Sequence, residues 1–395
     1  MRALSEYIKQ GEKNVSGQVG VEVEHFLLDR STGRPLEYGR LEPFLKTLVR
    51  DHPDTVYEEG HLIQLENDHA LITLEPGCQL ELSLKYTDDI SKIDQWYAEE
   101  MRPIEAIEGC DIVYSGGLPT VDEGRVKRIL KKRYAFMERW FSLMGERGRE
   151  MMKATASVHI SIDYKNEKDF VRKMRVAAIL HPLLAFLMAN TPKYAGKENE
   201  DILLRDSIWH HTDKARCGTI PTLFDEDFGY DGYARWLEKV PVILMKLDDT
   251  YIYEGPMTIA QAGEKYGRTD AHMAHFFSMA FPDVRAKQII EIRSADSVER
   301  EYMTAYAALI KGLFYDDGVL DEVIGWAHSI DELDAVSQNL RKLGWDADAY
   351  GQSAQNRLKR LLERAGISLP ETEKHYLAPL EACVQKRKHI YELEA

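Results

Sequence analysis

Four short segments of this chain alternate apolar and polar residues with a period of two, and carboxylates crowd their polar positions. Successive side chains of a strand point to opposite faces, so residues two apart share one. In Gly20-Val21-Glu22-Val23-Glu24, Glu22 and Glu24 point one way while Val19, Val21 and Val23 point the other. Beyond the turn in Leu74-Glu75-Pro76-Gly77-Cys78, the set Gln79, Glu81 and Ser83 opposes Leu80, Leu82 and Leu84. From 155 to 163 the odd positions are Thr, Ser, His, Ser and Asp, and the even ones are Ala, Val, Ile and Ile. Glu291 and Arg293 alternate with Ile290 and Ile292. Segments of this kind bury one face only, which predicts an antiparallel sheet with helices against its apolar side.

The polar faces admit two readings. One is an ordinary sheet with its polar side in water. Solvent faces of strands favour Lys, Thr and Arg alongside Glu, however, and Lys is absent from all four faces here. Same-face glutamates also repel unless a cation lies between them. Hard oxygen ligands with a single His suit Mg²⁺ or Mn²⁺ better than Zn²⁺. The second reading is therefore a polar sheet face that holds divalent ions.

Composition narrows the partners. The chain has 395 residues and a formal charge of -15. No block of Lys and Arg forms a stripe that could track a phosphate backbone, so nucleic-acid binding is not expected. An acidic protein can still take anionic substrates where bound cations reverse the local field. The four cysteines, Cys78, Cys110, Cys217 and Cys383, have no CxxC spacing and suit a reducing compartment. The longest apolar run, 176–189, contains His181 and Pro182 and reads as a buried helix rather than a membrane span. With no apolar leader in the first residues, the expectation is a cytoplasmic protein with no membrane partner.

Helical periodicity is expected over 91–107, 126–144, 170–188 and 299–314, and in two stretches after Gln352. Strands are expected at 18–28, 72–84, 155–163, 242–247 and 288–294. Strands separated by long helical excursions predict an α+β fold. With no repeat or Pro/Gly-rich linker, 1–395 reads as one domain whose part after about 300 is helical.

The same segments, in order, resemble a known family. GVEVEHFLLD at 20–29 looks like the GxExE strand that opens glutamate–cysteine ligases of the plant and proteobacterial type. LEPGCQLELS at 74–83 is similar to their LEPGGQxELS signature, and TASVHISIDY at 155–164 to a third strand. LRDSIWHHTDKARCG at 204–218 resembles RSxIWxxTDxxRxG, and HMAHFFSMAFPDVRAKQIIEIRSAD at 272–296 resembles HxxTxFPxVRxKxxxExRxAD. The part beyond about 300 carries no matching signature.

The resemblance implies a glutamine-synthetase-like antiparallel sheet curved into a funnel, with helices outside. It also implies an ATP-dependent ligase that phosphorylates the γ-carboxylate of glutamate and passes the γ-glutamyl group to the amine of cysteine. Mg²⁺, with Mn²⁺ as an alternative, is the implied cofactor, ATP the co-substrate, and small molecules the partners. Carried over by position, Glu22, Glu24, Glu75, Glu81, His159 and Glu291 are the implied metal ligands. Arg293 is implied to reach the transferring phosphoryl group, with Glu291 beside it in the catalytic pair.

Arg205, Trp209, Thr212, Asp213 and Arg216 form a loop-like cluster. A guanidinium there could hold a substrate carboxylate, or an Arg–Asp pair could pack beneath Trp209. Arg285 is either substrate-facing or a cation at a helix end. Three departures from the pattern stand out. Cys78 replaces the second Gly of the EPGG turn, where a changed backbone is expected, and Ser294 and Ser297-Val298 replace a Gly-rich ending. The acceptor amine is thus the open part of the reading: a related ligase joining glutamate to another amine fits the same strands. A nucleotide-binding protein without turnover, acting through its helical part, is a rival from another class. Oligomeric state is not legible.

Overall fold

The computed structural model describes residues 1–14, 17–248 and 250–393. Its centre is a nine-stranded antiparallel sheet: β1 (Val19–Asp29), β2 (Asp54–Glu58), β3 (His61–Glu66), β4 (Ala70–Leu74), β5 (Leu80–Thr87), β6 (Cys110–Val113), β7 (Ser157–Ile162) and, after a separate hairpin of β8 (Pro241–Leu247) and β9 (Thr250–Thr258), β10 (Val284–Ala286) and β11 (Ile290–Asp296). The spatial order is β10-β11-β7-β1-β5-β4-β3-β2, with β6 paired to the far end of β1. Its helical partners include α1 (Ile90–Glu105), α2 (Lys132–Met144), α3 (Gly148–Ala154), α4 (Glu167–Leu187), α5 (Leu204–His210), α6 (Arg300–Phe314) and α7 (Ala354–Ser368).

The alternation that defines the strands also defines the layers. Val21, Val23, Ile160 and Ile292 are buried on the face that meets α4 and α6, and each such side chain contributes roughly 1.5–3 kcal/mol on leaving water. The opposite face of β1 carries Glu22 and Glu24, then Phe26 and Leu28. The last two close one end of that face in a small cluster with Leu118, Val126, Ala154 and Ala156. Gly20 has no side chain because the Tyr86 ring occupies its place: a Cβ there would lie 2.5 Å from Tyr86 Cε1.

The expected α+β class, with a large antiparallel sheet and helices against it, is the one observed. The helix expected from 126 begins only at Lys132. Residues 126–131 are held out of it by tertiary hydrogen bonds, Ile129 N–H to the Pro76 carbonyl and Lys131 Nζ to the Leu74 carbonyl. The strands β2, β3, β6, β9 and β10 lie outside the expected segments. β2 is largely exposed, β9 is mostly half-buried, and both carry little apolar alternation. Beyond 300 the described chain is helical except for a two-residue hairpin pairing Asp348–Ala349 with Gln352–Ser353. No described helix is long and apolar enough to cross a membrane.

Candidate active site

Strand register assembles the polar face. Glu22 on β1 lies opposite His159 on β7 and Ser83 on β5, and Glu24 lies opposite Glu81, which in turn faces Thr73 on β4. Arg285 on β10 faces Glu291 on β11, which faces Ser161 on β7. Between Ile292 and Ala295 the β11 register slips against β7, three residues spanning two. A bulge of this kind re-aims side chains. Here Arg293 turns over the polar face, Ser294 reaches back to α4 with its Oγ 2.8 Å from His181 Nδ1, and Asp296 comes opposite Ser157.

The resulting cleft holds about 880 Å³ of empty space, including its open mouth. One wall is anionic, with Glu22, Glu24, Glu75 and Glu81. Across β7, Arg285, Lys287 and Arg293 make the β10–β11 side cationic, and Arg133 from α2 adds a further guanidinium to the lining. Met137, Met151, Met152, Trp209 and Phe281 supply apolar lining between them.

The two walls are charged differently in kind. Glu291 is fully buried, accepts from Arg285 Nη2 and Arg293 Nη1, each at 2.7 Å, and forms an ion pair with Lys287 Nζ at 3.0 Å. Burial pushes its carboxyl up, but these three cations hold it well below the usual range. The Glu24 carboxyl is pushed up to about 7 by burial and by Glu75, and Glu81 is raised well above its usual value by burial and by Glu75, Glu22 and Glu24. Burial and Glu291 push Glu22 up as well, yet the hydrogen bond with His159 and the charge of Lys287 leave it below its usual value. Crowded, partly desolvated carboxylates short of positive charge are what a cation site leaves when the ion is not counted.

His159 lies between the walls. Its Nδ1 is 3.3 Å from Glu22 Oε2 and 4.0 Å from Glu291 Oε1, and its Nε2 is 2.8 Å from Ser157 Oγ. Burial and the charge of Arg293 lower its pKa to about 4, so the ring is neutral with a lone pair available to a metal. Glu22, His159 and Glu291 each offer one ligand atom, all within 4.8 Å of one another. With the neighbouring Glu24, Glu75 and Glu81, this oxygen-rich set with one nitrogen fits hard divalent ions.

The structure separates the remaining expected residues. Trp209 lines the cleft, and Arg293 lies over its ring with the guanidinium carbon 5.0 Å from the centroid. Arg285 is on a strand against Glu291, so it is no helix-end cation. Arg205 does not line this cleft. Its Nη1 and Nη2 donate to the Arg293 carbonyl at 2.9 and 3.0 Å, which fixes the bulge.

Thr212, Asp213 and Arg216 are not placed to hold a substrate. Arg216 is fully buried and spends its donors on Asp213 Oδ2 and on the Met279 and Pro241 carbonyls. Asp213 also accepts from Trp140 Nε1, and Thr212 Oγ1 donates to the Ile208 carbonyl. The Arg–Asp pair lies against Trp140 and Phe141 rather than beneath Trp209. Cys78 adopts φ +69°, the left-handed form that glycine favours, so the turn retains a glycine-like backbone there instead of a remodelled one. Burial pushes the Cys217 thiol up to about 12, which removes it as a nucleophile.

Arg133, Tyr134 and Lys287 were missed. Lys287 falls on the Lys of the quoted VRxK pattern. Arg133 lies in the basic run KKRY, within the expected helix, and its Nε is buried without a hydrogen-bond partner.

A mixed fold of helices on a large antiparallel sheet is also what a known structure shares with the chain. A solved glutamate–cysteine ligase from Francisella tularensis, in complex with AMP, superposes with a TM-score of 0.52 at 10% identity, covering 95% of this chain and 83% of that one. The chloroplastic glutamate–cysteine ligases of Brassica juncea and Arabidopsis thaliana are each 29% identical, over 337 and 322 residues, which are 81% and 78% of this chain. The chain spans 65% and 61% of the length of those two relatives. Residues 18–389 match the profile of glutamate–cysteine ligase family 2, and the chain belongs to that family.

Proposed function

We propose that the protein is an ATP-dependent ligase that joins the γ-carboxyl of L-glutamate to the amine of L-cysteine through γ-glutamyl phosphate. The observation that carries this reading is the division of one cleft into a carboxylate wall and a guanidinium wall. A γ-carboxylate oxygen attacks the terminal phosphorus of ATP, and ADP leaves. The amine then attacks the acyl carbon, and phosphate leaves with the electrons of the C–O bond.

Transfer of this kind depends on positioning and on neutralising charge at the equatorial oxygens. Arg293 presents a planar fork above the cleft floor, preset by Trp209 and Glu291. Arg285 and Lys287 keep Glu291 ionised, and Arg133 adds positive charge to the lining of the cleft. Glu22, Glu24, Glu75, Glu81, His159 and Glu291 would hold Mg²⁺ or Mn²⁺, which supplies the positive charge that lets a triphosphate lie beside carboxylates.

The test is ADP release from ATP with L-glutamate across a panel of amino acids and amines, with and without EDTA. L-Cysteine should give by far the largest stimulation and EDTA should abolish it. 2-Aminobutyrate, with a methyl in place of the thiol, should be a poorer but real substrate, because a pocket distinguishes such small groups by only ~1–3 kcal/mol. A strong preference for a bulky or charged amine would reject cysteine in favour of the related ligase, and full turnover in metal-stripped buffer would reject the metal.

A further inference from the structure

Beside the cleft, in a small neighbouring pocket that shares Trp209, Phe281 and Arg293 with it, four metal-type ligands converge. His181 comes from α4, Asp206 and His210 from successive turns of α5, and Asp283 from the residue before β10. Positions four apart share a helix face, so Asp206 and His210 point the same way. His181 Nε2 lies 3.0 Å from Asp206 Oδ1 and 3.9 Å from Asp283 Oδ1; His210 Nε2 lies 3.4 and 3.0 Å from the same two oxygens. These separations bracket the ~3.3 Å edge of a tetrahedron whose metal–ligand bonds are ~2.0–2.1 Å.

The outer atoms of three of these groups are committed elsewhere. His181 Nδ1 meets Ser294 Oγ at 2.8 Å, Asp206 Oδ2 accepts from Arg341 Nη2 at 2.7 Å, and Asp283 Oδ2 accepts from Thr219 Oγ1 at 2.9 Å. Such partners fix ring and carboxylate orientation around a metal and leave one atom of each group aimed inward. His181, Asp206 and Asp283 are buried, whereas the His210 side chain is about a third exposed, which gives an ion a way in.

We propose that His181, Asp206, His210 and Asp283 form a tetrahedral site for a Zn²⁺-type transition-metal ion, separate from the Mg²⁺-type carboxylates of the cleft. Two imidazoles and two carboxylates suit Zn²⁺ or Co²⁺, while Mg²⁺ prefers six oxygens. The two carboxylates balance the charge of one divalent ion. The alternative is a hydrogen-bonded network that uses protons in place of the metal. The site is structural in kind: it ties α4 and α5 to the segment whose Asp283 carbonyl accepts the Arg293 N–H at 3.2 Å. Its existence does not depend on the activity proposed above.

The experiment uses the full chain, stripped of metal and titrated with Co²⁺, with bound metal counted and visible spectra recorded. Tetrahedral Co²⁺ absorbs strongly in the visible, and octahedral Co²⁺ in an oxygen-rich cleft absorbs weakly. One tetrahedral Co²⁺ per chain, displaced by Zn²⁺ and kept in Glu22→Gln, is expected. His210→Ala and the near-isosteric Asp283→Asn should weaken it at least as much as the ~10–100-fold that loss of an outer partner costs. Circular dichroism tests both folds, and Asp283→Asn carries the comparison if His210→Ala is unfolded. No strong visible absorption, an unchanged spectrum in a folded Asp283→Asn, or a loss confined to Glu22→Gln would each overturn the site and leave the proton network.

Discussion

The guanidinium of Arg293 lies over the indole of Trp209, 5.0 Å from the ring centroid, so the indole covers one side of the fork at the cleft. Stacking and the bond to Glu291 fix the plane before substrate arrives, so little ordering remains to be done in the transition state. Lysine preserves charge but loses both the plane and the second hydrogen bond. Arg293→Lys should lower kcat by about tenfold or more, and Arg293→Ala by ~10²–10³-fold, the range for removing one transition-state donor. The glutamate KM should change less. Steady-state kinetics decide the point: an intact kcat with a raised KM would make Arg293 a binding residue only.

Glu81 lines the cleft half-exposed beside Glu75, Glu22 and Glu24, and desolvation together with that crowding raises its carboxyl well above the usual value. The protein is therefore less stable without a cation than it would be with a neutral side chain there. Glu81→Gln keeps the shape and removes the repulsion. It should raise the melting temperature in EDTA while cutting both the Mg²⁺-induced increase in melting temperature and turnover. Thermal scans with and without Mg²⁺ test this, and a variant that melts lower in EDTA would contradict the repulsion.

How much of this was legible follows from what a residue's role depends on. Glu22, Glu24, Glu81, His159, Glu291 and Arg293 could be read because strand parity alone puts them on one face, and register then brings them together. The 204–218 cluster could not be read in the same way. Trp209 faces the cleft, Arg205 braces the bulge, and Arg216 is enclosed by carbonyls from the Met279 and Pro241 regions, far along the chain. A short helix followed by a loop has no parity rule, so its side chains are sorted by tertiary partners. The bulge at Arg293-Ser294 was equally hidden, since it appears only as a register slip against β7. Lys131 and the 126–131 segment were misread as helix because their partners, the Leu74 and Pro76 carbonyls, lie some fifty residues away.

A buried pair remote from the cleft sets a pH dependence of stability. His52 Nε2 is 2.7 Å from Glu100 Oε2, and Asn67 Nδ2 donates to the other oxygen at 2.7 Å. Burial works to lower the His52 pKa, but Glu100 outweighs it and leaves His52 raised. Burial works to raise Glu100, but His52 and Asn67 leave it lowered. A raised His contributes fully below its unfolded pKa of about 6.5 and loses that contribution as pH rises through the folded value. A lowered Glu contributes above about 4.3 and loses it as pH falls through its folded value. The stability difference between wild type and His52→Gln should therefore be largest near pH 6 and shrink toward pH 9. Melting curves across that range check it, and a difference that grows with pH would refute the assignment.

Arg216 provides the sharpest contrast with Arg293, because both are arginines in motif segments and only one faces the cleft. Arg216 is fully buried and forms a 2.8 Å ion pair with Asp213, whose Oδ2 also takes the Trp140 N–H at 2.9 Å. Removing one member of a buried pair strands the other charge, which costs ~3–5 kcal/mol. It also orphans the Met279 and Pro241 carbonyls, each worth a further ~1–3 kcal/mol if left unsatisfied. Arg216→Leu should lower the melting temperature by about 5 °C or more. At a temperature where the variant stays folded, kcat and the KM values for glutamate and ATP should remain within a few-fold of wild type. The double change Arg216→Leu with Asp213→Leu should recover part of the loss, since no charge is then stranded. If Arg216→Leu instead left the melting temperature unchanged and raised the KM for glutamate by orders of magnitude, Arg216 would be a substrate ligand reached by a rearranged loop. The enclosed ion pair seen here would then be a resting arrangement rather than a structural one.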